Sequence, residues 1–178
     1  ISMNRSLAII SVAIISIATA CTVTKTKTGY TTVQNGNEKI LVGFIPRQTL
    51  ETDTSFRWFV NNRKFGQADA AAVKAFTEKA DRFTMLVFGG TWCHDTQNLL
   101  PSFYRLVDAS NYPANKITLV GVTRSKTVPD NLHTKWGITN VPTFIVLDNS
   151  GKEIGRIVEY GKYGVIDKEL GEIVNTIP

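Results

Sequence analysis

Cysteine is nearly missing from this chain: two in 178 residues, at positions 21 and 93. If Cys21 carries a lipid, the mature domain holds one free thiol, and a disulfide inside it is excluded. Histidine is equally scarce, with His94 and His133 the only two. The best metal set on offer is Cys93, His94, Asp95 and His133. Adjacent Cys and His rarely converge on one ion and no spaced ligand pair exists, so no metal and no other cofactor is expected. Charge is modest, at 20% charged residues and a net +5. Lys and Arg are scattered, with no basic stripe interleaved with aromatics, which sets nucleic-acid binding aside. What is present, 43% hydrophobic residues in an ordinary globular composition, suffices for one domain with a real core and an appendage.

The longest apolar run, Leu7 to Ala20, is short for a bilayer span and follows Met3, Asn4 and Arg5. Small residues Ala18, Thr19 and Ala20 close it, so residues 1–20 read as a signal peptide. The next residue is Cys21, and "ATAC" resembles a bacterial lipobox, which implies lipid modification at Cys21. An ordinary signal peptide with an incidental cysteine is the alternative. Residues 21–38, rich in Thr, Lys, Asn and Gly, read as a flexible tether. The expected address is the bacterial cell envelope, lipid-anchored and facing the periplasm, in either membrane.

Residues 39–67 form an N-terminal extension: a short strand over "KILVGFIP", stopped by Pro46, then a helix from about Leu50 to Asn62. From residue 68 to 178 the pattern is α-β-α-β-α-β-β-α. Asp69 is the expected N-cap of an alanine-rich helix. "TMLVFGG" is a continuous apolar run of the kind found in strands buried on both faces. "KITLVGV" and "PTFIVLD" are further strands, and the turn at Asn149–Gly151 folds "KEIGRIVEY" back antiparallel to the last of them. A closing helix covers about Val165 to Asn175. A parallel start and a terminal hairpin predict a three-layer α/β sandwich, a mixed central sheet flanked by helices.

Chemistry concentrates in "VFGGTWCHDTQNLLP". Cys93 follows a buried strand and opens a helix, where backbone N–H groups and the macrodipole favour negative charge. His94 would add to that favour if protonated. Asp95 would oppose it or cap the helix, and the Thr96 hydroxyl has the sulfur within sequence reach. Arg124 follows the strand "ITLVGV" and is expected at the same sheet edge, beside the thiol or an anionic substrate group, unless it is simply a solvated loop arginine.

"VFGGTWCHDT" resembles the active-site segment of thioredoxins, in which a strand is followed by Trp-Cys-x-x-Cys opening a helix. Trp92 and Cys93 match the Trp and the nucleophile, and Thr96 stands where the resolving cysteine would be. Pro101 matches the helix-kinking proline. "GITNVPTF" resembles the loop of the family's cis-proline, making Pro142 its counterpart and Val141 the residue that pairs with a substrate backbone. The resemblance is nearest to bacterial thioredoxin-like lipoproteins with Trp-Cys-x-Asp-Ser/Thr, and runs from about Ala68 to the C-terminus. Val87 occupies the place of the family's buried acid, so resolving cysteine and proton-transfer carboxylate are lost together. The implied activity is monothiol thiol–disulfide exchange through Cys93, with protein or low-molecular-weight thiols and disulfides as partners and no internal resolving step. The alternative is a non-catalytic thioredoxin-fold module that holds extended peptides or partner proteins.

Overall fold

A computed structural model describes residues 29–178. The expected signal peptide, Cys21 and the first part of the expected tether lie outside the described residues.

The second part of the expected tether is not a tether. Residues 29–35 form β1 (Gly29–Asn35), which pairs antiparallel with β2 (Glu38–Phe44) through Asn35 opposite Glu38. Gly36 takes φ +59° in the two-residue turn, a conformation that costs glycine little. "YTTV" supplies aromatic and β-branched residues suited to a strand. All seven residues of β1 are exposed, so polar composition and strand structure coexist there. β2 is the strand expected over "KILVGF".

The helix expected over Leu50–Asn62 is divided. α1 (Arg47–Thr52) ends at extended Asp53, whose carboxylate accepts from the Ser55 amide, and α2 (Arg57–Asn62) follows a 3-10 turn at Thr54–Phe56. An aspartate that bonds its own downstream backbone competes with helix continuation. α3 (Ala70–Glu78) begins at Asp69, whose side chain accepts from the Ala72 amide as a helix N-cap.

β3 (Phe83–Gly89) leads to α4 (His94–Ala109), then β4 (Ile117–Gly121), short α5 (Leu132–Lys135), β5 (Thr143–Asp148), β6 (Glu153–Val158) and α6 (Ile166–Asn175). The sheet runs β1-β2-β4-β3-β5-β6, with β3 and β4 parallel and the other pairs antiparallel. This is the mixed, helix-flanked sheet expected from the pattern. Alternation along central β3 divides the core between its two faces. Met85 and Val87 join Leu99, Phe103, Phe144 and Leu170 under the helices, while Leu86 and Phe88 join Val120, Ile145 and Val141 on the other side. Trp92 and Cys93 pack on the rim of that second cluster. Because β3 is central and buried on both faces, its C-terminal end is a rigid platform for the loop that carries the thiol.

Candidate functional site

Residues 90–93 turn from β3 into α4, with the Cys93 amide donating to the Gly90 carbonyl at 2.9 Å. Cys93 is the N-cap residue of the 16-residue α4, with extended backbone and a half-buried side chain. Its Sγ lies 3.3 Å from the Val141 carbonyl, the thiol donating. Val141 precedes Pro142 through a cis peptide bond, so two segments 48 positions apart meet at the sulfur. The Val141 side chain is buried, and its amide makes no hydrogen bond among the described residues.

Thr96 does not serve the sulfur. Its side chain is 1% exposed, and its hydroxyl accepts from the buried Gly90 amide at 3.2 Å. Thr96 therefore fastens the turn on which Cys93 rides. Trp92 lies against the same turn. A Cβ on Gly90 would stand 2.7 Å from the indole ring, so only glycine lets the ring settle there, and the indole N–H donates to the Val122 carbonyl at 3.1 Å. His94 is exposed and its imidazole has no hydrogen bond or ion pair among the described residues. Asp95, in the first turn of α4, caps no amide there either. Arg124 reaches the site but not as a partner of the sulfur: its guanidinium lies 5.3 Å from the Trp92 ring centroid and its Nη2 is 2.5 Å from Glu38 Oε2. Val87 is fully buried among apolar side chains. His133 accepts from the Val128 amide through Nδ1, away from the thiol, and no group of three metal-ligating side chains occurs among the described residues.

Three residues that carry no motif brace the loop. Thr91, 6% exposed, accepts from the Leu41 amide and donates to the Lys39 carbonyl, both at 3.2 Å. β2 pairs with β4 only at Gly43 and Phe44, so this hydroxyl satisfies the β2 backbone where it departs from the sheet. Gln97 donates from its side chain to the Thr91 carbonyl at 2.9 Å. Pro101, inside α4, has no N–H for the Gln97 carbonyl four residues back; Asn62 of α2 donates to that carbonyl at 3.0 Å instead. The only signal of this brace in the sequence is Pro101 itself, which predicts an orphaned carbonyl at Gln97 without naming its partner.

The family described as thioredoxin matches residues 44–164, more than half of the chain. The chain belongs to the thioredoxin family. Two solved structures share its fold. One is an HIV epitope scaffold, 17% identical, TM-score 0.56, covering 77% of this chain and 95% of its own. The other is a protein of unknown function from Pseudomonas aeruginosa, 17% identical, TM-score 0.55, covering 76% and 93%. No curated protein matches. The two short helices α1 and α2 lie within the matched span, whereas β1 and nearly all of β2 precede it.

Proposed function

We propose that this thioredoxin-family chain performs monothiol thiol–disulfide exchange. The observation that carries the reading is the half-buried Cys93 thiol at the head of α4, 3.3 Å from the carbonyl that precedes Pro142. The Cys93 thiolate attacks one sulfur of a substrate disulfide. A Cys93–substrate disulfide forms, the original S–S bond breaks, and the departing sulfur leaves with the electron pair as a thiolate. No second cysteine stands within the described residues to displace the substrate. A thiolate from outside completes the cycle by attacking that mixed disulfide and returning Cys93 to its reduced form, so the net reaction is exchange without net oxidation. Val87 in a wholly apolar setting is consistent with a site that carries out no internal resolving step.

The test is alkylation of Cys93 by iodoacetamide as a function of pH, beside incubation with oxidised glutathione and peptide mapping of the adduct. Alkylation at neutral pH faster than that of free cysteine, with an adduct on the peptide containing residue 93, supports the reading. A thiol no faster than free cysteine that forms no adduct overturns it. One observation favours a second reading, a binding module: the unpaired Val141 amide offers a strand-like hydrogen bond to an extended peptide. Cys93→Ser that retains partner capture at parental strength supports that module.

The envelope address rests on the sequence. We assign the lipid anchor to Cys21, facing the periplasm. Cys21→Ala is expected to move the protein from the membrane to the soluble fraction; retention in the membrane refutes the anchor.

A further inference from the structure

A cavity of about 480 Å³ opens between the β1–β2 turn, the 3-10 turn before α2 and the first turn of α4. Its volume is within the range of pockets that hold a small ligand or a short stretch of chain. Thr91 and Gln97 form its inner wall, two residues before and four residues after Cys93, so it shares that wall with the Cys93 turn. Arg124, which covers Trp92, closes one side. Asn35, Asn37 and Glu38 form the opposite wall, and those three residues precede the span that matches the family.

The chemistry of the lining selects among the partners that monothiol exchange allows. Its two cations are already neutralised: Lys39 Nζ lies 2.5 Å from Asp53 Oδ2, and Arg124 is paired with Glu38 at 2.5 Å. An anionic thiol such as glutathione, with two carboxylates against one ammonium, finds no unpaired positive charge there. Neutral hydrogen-bonding groups are plentiful instead. The side-chain amides of Asn35 and Asn37 and the indole N–H of Trp58 make no hydrogen bond among the described residues, and all three residues face the cavity. Amides that donate and accept, beside a half-buried aromatic, suit polypeptide backbone and uncharged polar side chains.

Resting on the exchange reading above, we propose that this cavity is a substrate-recognition pocket, and that it directs Cys93 toward disulfides of uncharged polar polypeptide segments rather than low-molecular-weight anionic thiols.

The experiment uses two activated disulfides with the same leaving group, 2-thiopyridine joined to glutathione and 2-thiopyridine joined to an N-acetylated, C-amidated peptide whose one cysteine is flanked by Asn, Gln and Ser. Cys93 forms the mixed disulfide and 2-thiopyridone departs with the electron pair and a proton, which absorbance follows. The expected result is a peptide rate at least tenfold above the glutathione rate. Asn37→Ala and Trp58→Phe, the first in an exposed turn and the second preserving aromatic packing, should each lower the peptide-to-glutathione ratio at least threefold. A ratio near one in the parent, or a ratio that neither variant changes, overturns the pocket while leaving exchange intact. If Cys93 reacts with neither disulfide, the exchange reading falls and the pocket is decided by calorimetric titration of Cys93→Ser with the reduced peptide. Binding that Asn37→Ala weakens at least threefold sustains it, and absence of binding overturns it.

Discussion

The loop that carries the thiol meets two walls built on different principles. The wall at Val141–Pro142 is backbone, continuous with β5 in the buried centre of the sheet, and it touches the sulfur directly. The β1–β2 hairpin is anchored by buried Ile40, Leu41 and Val42 and by backbone pairing at Gly43 and Phe44, but its links to the thiol loop and the extension are side-chain bonds: the Thr91 hydroxyl, the Lys39–Asp53 pair and the Arg124–Glu38 pair. The first cannot shift without disturbing the core. The second can be altered one bond at a time. Reactivity is thus held where the backbone fixes it, and the hairpin's links to the thiol loop are held where single residues control them.

The largest expected difference between the walls comes from removing the sulfur. Cys93→Ser should abolish every adduct mapped to residue 93 while leaving the hairpin wall in place, which hydrogen exchange at the β2 amides would verify. Next is Thr91→Val, nearly isosteric but without the hydroxyl that serves Leu41 and Lys39. Leaving buried backbone groups unpaired costs about 1–3 kcal/mol, measured as a fall in the denaturant midpoint, and the Leu41 amide should exchange faster. Unchanged protection at Leu41 would show that the hairpin is held by something else. Asn62→Ala removes the donor to the Gln97 carbonyl and should cost about 1 kcal/mol in the same measurement.

Acid should separate the walls further. The hydrogen bond from Lys39, followed by that from the Ser55 amide, holds the Asp53 carboxyl below its ordinary 3.8. Burial pushes Glu51 upward, but bonds from Arg63 and Arg47 outweigh it and leave that group below its ordinary 4.5. A carboxyl held lower in the fold than in the open chain adds stability that is complete above its ordinary value and lost as pH falls through its folded one. The extension should therefore loosen as pH drops from about 4.5 downward, with its amides losing protection before those around Pro142. The smallest effect belongs to Glu38→Gln. Its arginine partner is half exposed, and such a pair is worth about 0–1 kcal/mol, an effect that added salt should reduce further.

Much of the scaffold was legible because it rests on local rules. Asp69 caps α3, the unbroken "TMLVFG" is the central strand, and Asn149–Gly151 joins the terminal hairpin, as the spacing of these residues implies. The position of Cys93 at the head of a helix could be read from the change of period after Gly90. The hairpin wall could not be read from composition, because β1 is exposed along its whole length and looks like polar linker. Its one local signal is Gly36-Asn37 between strand-prone runs, with few apolar residues around it. The split at Asp53 and the direction taken by the Thr96 hydroxyl depend on partners that only the folded chain brings near. Arg124 was expected at the correct edge, but its distant partner Glu38 has no trace in the local sequence.

Thr96 also bears on whether a second thiol could be built into the site. A cysteine placed at position 96 would put sulfur, a weak acceptor, where the buried Gly90 amide now has an oxygen. The turn beneath Cys93 would slacken in the same step that supplied a second thiol. A cysteine introduced at position 96 would therefore need a compensating change in the turn before the new pair became useful, so a second thiol and a firm turn beneath the first compete for one position.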